Sequence, residues 1–124
     1  MDAFKLPKET EQEKVFRSKA IEEATIGATS APMEVIQTSK VLLPILEIII
    51  DKGNKNSISD AGVAVSLVDT AAKGAYLNVL INCSSLNNQT IAGELKKTAD
   101  ILIEELNRTS DRLFEQVLKA VQPK

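Results

Sequence analysis

An all-α fold, an antiparallel bundle of about four long helices, is what this sequence predicts, and three observations carry that expectation. The apolar residues are aliphatic and small: 44% of the 124 residues are hydrophobic, 3% are aromatic and tryptophan is absent. Core energy must then come from Ile, Leu, Val and Ala, at about 25 cal/mol per Å² of apolar surface removed from water, which suits closely packed helices. Helix-start signatures recur at Thr10 to Glu13 and at Ser57 to Asp60. Over the last third of the chain, apolar residues return at intervals of three, four and seven. A chain of this length holds one core, so 1–124 is read as one domain.

Thr10 and Glu13 fit a capping box, with the threonine oxygen accepting a backbone N–H and the glutamate reaching back, so a first helix starts there and runs to about Ser30. Pro32 marks a boundary or a kink, since proline removes one backbone donor and collides with the preceding turn. From Met33 to Lys52 apolar residues cover most of the circumference, which predicts a heavily buried helix, bent at Pro44 and closed by Gly53 in the left-handed conformation. The run Ile48 to Ile50 also admits a short strand, but lacks period-two alternation.

Asn54 to Ser57 is a polar loop, and Ser57 with Asp60 opens a central helix that ends between Asn82 and Ser85. This helix carries Ala61, Gly62, Ala64, Ala71, Ala72, Gly74 and Ala75, small residues that let another backbone approach. After the loop Ser84 to Asn88, the final helix places Ile91, Leu95, Ala99, Leu102, Leu106, Leu113 and Val117 on one stripe, which either seals the bundle or lies along another subunit.

A net charge of −2 and a pI near 5.2, with lysines and acids interleaved, provide no basic field for nucleic acid. The single cysteine, Cys83, and the absence of histidine leave no disulfide and no metal-ligand set, and point to a reducing, cytoplasmic setting. The amino end lacks the apolar stretch of a secretory signal, and Pro44, Asp69 and Lys73 interrupt the apolar runs before the roughly 20 residues that cross a membrane.

At 100° per residue, Asp60, Ala64, Leu67, Ala71, Gly74, Asn78 and Asn82 share one face of the central helix, polar at both ends. Asp60 and Asn78 are then about 27 Å apart, too far for one small reactive centre, so either the ligand is long or two chains combine opposite ends. Asp60 is a helix-start carboxylate or a catalytic one, and capping, which favours its charged form, conflicts with proton transfer. Asn78 and Asn82 are either buried amides bonded to backbone or ligand contacts. Lys55 could hold an anion and Tyr76 could stack on a heterocycle, although solvation and core packing are the ordinary roles of such residues. Cys83 has no base to activate it.

The stretches MDAFKLPKET, KGNKNSISDAGVA and KGAYLNVLIN, in this order and at these intervals, resemble the cyclodeaminase domain of formiminotransferase-cyclodeaminase and the related stand-alone methenyltetrahydrofolate cyclohydrolases. The likeness runs from Met1 to about Ile103, and its most specific part is SD-x-x-VA followed by GAYLNV-x-IN. It implies an all-helical protein, a homodimer or higher homo-oligomer, that needs no cofactor. It also implies one of two folate reactions: formiminotetrahydrofolate is cyclised to methenyltetrahydrofolate with release of ammonia, or methenyltetrahydrofolate is hydrolysed. On the matching positions it implies Asp60 as the acid–base residue and Lys5, Lys55, Asn56, Ser59, Tyr76, Asn78 and Asn82 as contacts to a folate with or without a polyglutamate tail, the lysines facing that tail. Family members carry a further helical region before the position matching Met1, so this chain corresponds to the later part of the domain. A catalytically deficient short form, acting as a folate-binding or oligomerisation module, is the alternative, and a purely structural helical module is the third reading.

Overall fold

The capping box at Thr10 forms. The Thr10 hydroxyl accepts from the Glu13 N–H at 3.2 Å, and the Glu13 carboxylate accepts from the Thr10 N–H at 3.0 Å. From it a single helix, α1, runs Glu11–Lys52 in the computed structural model, which describes residues 2–123. A short 3-10 turn, Lys55–Ser57, leads into α2, Ile58–Ser85, and a tight loop leads into α3, Gln89–Val121. A second 3-10 turn, Ala3–Lys5, precedes α1. The bundle is all-α with three long helices rather than about four, and no strand occurs among the described residues.

The difference in number arises at proline. Pro32 and Pro44 both lie inside α1, which has no boundary at Ser30. An internal proline costs about 3 kcal/mol through a lost hydrogen bond and a clash with the previous turn. Each proline here is flanked by buried anchors, Thr29, Met33 and Ile36 around the first, Leu43 and Ile50 around the second, and their packing outweighs that cost. Gly53 differs as well: its φ of −74° is extended, not left-handed. Glycine is required there because a Cβ would run into the Ile49 carbonyl oxygen, which accepts the closing bond from the Gly53 N–H at 2.8 Å.

Two clusters stack along the bundle. Leu43 and Ile50 of α1 meet Val65 and Ala72 of α2 and Leu106 and Leu113 of α3 near the α1–α2 connection. Ile36, Val79, Cys83, Leu86 and Ala99 form the second cluster near the α2–α3 loop. α3 keeps its predicted stripe, with Ala99, Leu106, Leu113 and Val117 buried.

α1 and α3 run parallel at a constant offset of 65 residues: Lys40 pairs with Glu105, Arg112 donates to Glu47, and Gln116 donates to Asp51. At the other end of the same register, Glu22 accepts from the Asn87 and Asn88 backbone N–H groups at 2.9 and 2.8 Å, pinning the loop that Asn88 then uses to cap α3. Those N–H groups hold the Glu22 carboxyl below its ordinary value of 4.5. A depressed carboxylate stabilises the fold above its unfolded pKa, and that contribution is lost as pH falls through the folded one. Wild type should therefore melt higher than Glu22→Gln above pH 4.5, with the gap closing as acid is added. A gap in melting temperature that persists unchanged into acid would mean the charge is irrelevant to the loop.

Two expectations about burial are corrected. The 33–52 stretch is not heavily buried, since Val41 is 66% and Ile48 58% exposed. On α2 the buried residues are Ala61, Gly62, Val65, Ala72, Ala75, Val79 and Cys83, whereas Leu67, Ala71, Gly74 and Asn78 face outwards. Close approach occurs at Gly62, where a Cβ would lie 2.8 Å from a Val117 methyl, and not at Gly74, which has open space. The 33–52 half of α1 and all of α2 are apolar on both faces, so their patterns fix no inward side. By length and mean hydropathy, 1.2, the stretch Lys55–Ser85 also reaches the range of a membrane-crossing helix, against the expectation drawn from its charges. Those charges are internally paired, Lys73 with Asp69 at 2.6 Å.

Candidate functional site

Residues matching the two sequence motifs all lie on α2 or the turn before it, at opposite ends. At the start, Lys55 and Asn56 occupy the 3-10 turn, and Ser59 and Asp60 the first turn of α2, all exposed. Asn54 shapes this turn, its side-chain oxygen accepting from the Asn56 N–H at 3.0 Å. The expected cap by Ser57 is absent. Its backbone, φ −110° and ψ 13°, makes no side-chain cap bond, because the 3-10 turn runs directly into the helix and bonds the Ile58 N–H to the Lys55 carbonyl. Asp60 is left in the first turn with its carboxylate open to solvent.

At the other end Asn78 is exposed and Asn82 half-buried, so neither is the fully buried amide that one reading required. The Asn82 carbonyl accepts from the Ser85 hydroxyl, leaving its side-chain amide out of that bond. Tyr76 turns away from both, towards α3, and its hydroxyl donates to Asp100 at 2.6 Å while Lys96 donates to the other Asp100 oxygen at 2.5 Å. The Lys96 and Tyr76 hydrogen bonds hold Asp100 below the usual carboxylate range. The same Asp100 contact raises the Tyr76 phenol. Neither group exchanges protons near neutrality, and the arrangement fixes the Tyr76 ring between α2 and α3. Cys83 is buried and its thiol pushed up by desolvation, which leaves little thiolate.

Lys5 sits elsewhere. The first turns of α1, ahead of Glu22, extend past the α2–α3 loop by about 16 Å, and the N-terminal segment folds back on them. Arg17 donates to the Phe4 carbonyl, its guanidinium 5.9 Å from the Phe4 ring centre. Lys5, paired with Asp2 at 3.4 Å, is at this tip and remote from Lys55. One chain therefore gathers Lys55, Asn56, Ser59 and Asp60 but separates them from Asn78, Asn82, Tyr76 and Lys5.

A polar cluster that the sequence reading passed over lies between α2 and α3. Ser110, buried on α3, donates to Asp69 at 2.8 Å, and Asp69 also receives Lys73. The Asp69 hydrogen bond raises the Lys73 pKa. A groove of about 410 Å³ opens beside Asp69, Thr70, Ser110 and Asp111, and continues along an apolar stretch that reaches Ser59. Its signal in the sequence was an Asp–Lys pair four apart on the most apolar helix, facing a serine on an otherwise apolar stripe.

A family model described as formiminotransferase-cyclodeaminase matches residues 1–101. Methenyltetrahydrofolate cyclohydrolase of Methylorubrum extorquens is 36% identical over 121 residues, which cover 98% of this chain and 58% of that protein. Formimidoyltransferase-cyclodeaminase of Rattus norvegicus is 31% identical over 105 residues, or 85% of this chain and 19% of that protein. The enzyme of the same name from Gallus gallus is 29% identical over 110 residues, 89% and 20% of the two chains. The chain thus spans a little over half of the bacterial relative and about a fifth of the animal ones.

Proposed function

The chain belongs to the formiminotransferase-cyclodeaminase family, and from that premise we propose that it serves folate one-carbon chemistry in the cytoplasm, as a cyclodeaminase or a methenyltetrahydrofolate cyclohydrolase. The observation that carries this reading is the family match over residues 1–101, which includes both α2 motifs. In the cyclodeaminase direction, folate N10 attacks the formimino carbon and loses its proton, and the amino nitrogen leaves as ammonia after gaining one. In the cyclohydrolase direction, water adds to the methenyl carbon and one carbon–nitrogen bond opens. Both need a group that takes and returns a proton. Asp60 is the carboxylate available in the motif, open to solvent and free of the Ser57 cap. Beside it, Asn56 and Ser59 supply amide and hydroxyl contacts and Lys55 faces a glutamate tail, while Asn78 and Asn82 offer amides at the other end of α2; Lys5 at the far tip and Tyr76 turned to Asp100 take no part at the Asp60 end.

Purified chain assayed for ammonia release from formiminotetrahydrofolate, and for loss of the methenyl chromophore from methenyltetrahydrofolate, tests the reading. Turnover of one substrate is expected, and the substrate consumed distinguishes the two activities. The separation of Asp60 from Asn78 within one chain favours a second reading, a module that binds folate without turnover. Under it, 5-formyltetrahydrofolate at 100 times its dissociation constant still stabilises the fold by about 2.7 kcal/mol. No turnover together with no thermal shift would overturn both readings and leave a structural module.

A further inference from the structure

α1 packs against α2 and α3 through Leu43 and Ile50, and on the outer side of the α2–α3 pair a groove stays open. Its walls are Val63 and Leu67 of α2, 58% and 64% exposed, and Phe114, Leu118 and Val121 of α3, 37 to 45% exposed. Its floor is the close approach of Gly62 to Val117. The apolar part holds about 310 Å³ and joins the polar part beside Asp69. Together they run from Ser59 to Thr70 on α2 and from Val121 back to Ser110 on α3, eleven residues on each helix. That length is about 16 Å, or three helical turns.

The shape selects the backbone of the occupant. Val63 and Leu67 are four residues apart, and Phe114, Leu118 and Val121 follow at four and three, so each wall is a ridge of helical spacing. What fits between two such ridges is a third helix whose apolar residues recur at the same intervals. Both walls are helices with their backbone groups already bonded, so they offer no edge to an extended peptide. The occupant must bond its own backbone, as a helix does.

Charge selects its ends. Asp69, Asp111 and Glu115 line the groove beside Thr70, and no lysine or arginine lines it among the described residues. Lys73 pairs with Asp69 at 2.6 Å, Lys119 reaches Glu115 only at 4.0 Å, and Asp111 and Glu115 are exposed. A lip of this sign repels the carboxylates of a folate and attracts lysine or arginine. We infer that the α2–α3 groove docks an amphipathic helix of a different protein, apolar at intervals of three and four, with lysine or arginine at the end that meets Asp111 and Glu115. The docking stands on groove and charge and is independent of the folate reading.

Two fluorescein-labelled synthetic helices test it. Both are leucine–alanine–glutamine peptides of about sixteen residues with leucines at three- and four-residue intervals. One carries two arginines at its amino end, where the helix dipole adds positive charge, and its twin carries two glutamates there. Fluorescence anisotropy should show the arginine helix bound and its twin about tenfold weaker, and Asp111→Lys with Glu115→Lys should reverse that order. Leu67→Glu on one wall and Val121→Glu on the other should each weaken the arginine helix by about tenfold or more. Both positions are exposed, so the melting temperature should hold, and two substitutions on separate helices keep the test independent of either variant's folding. Equal affinity for the two helices, binding indifferent to both wall substitutions, or no binding of the arginine helix would overturn the inference. So would displacement of that helix by 5-formyltetrahydrofolate, which would make the groove a folate site. A wild-type dimer that Val121→Glu splits would seat a second copy of the chain there instead, and retention on phosphatidylcholine vesicles that Val121→Glu abolishes would make it a lipid contact; either result overturns the inference.

Discussion

Leu106→Ala should lower the unfolding free energy by about 3 kcal/mol, within the range of roughly 2 to 5 for deleting a fully buried leucine. Leu106 is 0% exposed in the cluster where all three helices meet, against Leu43, Val65 and Leu113. Truncation removes the transfer energy of the side chain and leaves a void that three rigid helices close poorly. With a total stability of about 5 to 15 kcal/mol for a domain of this kind, the loss exceeds half of the smaller value. Urea or thermal unfolding followed by circular dichroism measures it. Leu118→Ala, on the same helix but 37% exposed, is the control and should cost less than about 1 kcal/mol. Equal losses at the two positions would mean that the three-helix junction is not the centre of stability.

Asp60→Asn should reduce turnover of the folate substrate by about a hundredfold or more while barely changing the melting temperature. The cap assigned to Ser57 and Asp60 from sequence would have tied this residue to folding, and the 3-10 turn into α2 releases it. What remains of its structural role is a carboxylate near the positive end of a helix, about 0.5 kcal/mol at an exposed site. Asparagine keeps the size and removes the proton acceptor. Steady-state rates and thermal unfolding of the two proteins, run side by side, decide the matter. A variant that melts much lower, or one that turns over normally, would remove Asp60 from the proton-transfer role.

Legibility of the fold varied from helix to helix for one reason. α3 has a sharply one-sided apolar stripe, so its inward face could be named residue by residue, and Ala99, Leu106, Leu113 and Val117 are buried as read. The 33–52 half of α1 and all of α2 are apolar nearly all round, and a pattern without a polar side has no phase. Val41 and Ile45 thus fall in a stretch expected to be heavily buried, and in the single chain they face out. The candidate site suffered the same ambiguity. The motif residues on α2 were identified, but their division between two ends and the capture of Tyr76 by Asp100 were not visible.

Local chemistry in the sequence was sufficient for the helical class, for the Thr10 capping box and for membership of the folate family, since each depends on residues close together along the chain. Only the tertiary structure decided that α1 passes through Pro32 and Pro44, that Asp69 and Ser110 meet, and which side of α2 lies inside. Those outcomes depend on packing between segments far apart in sequence, where burial of a whole face outweighs the cost of one lost hydrogen bond.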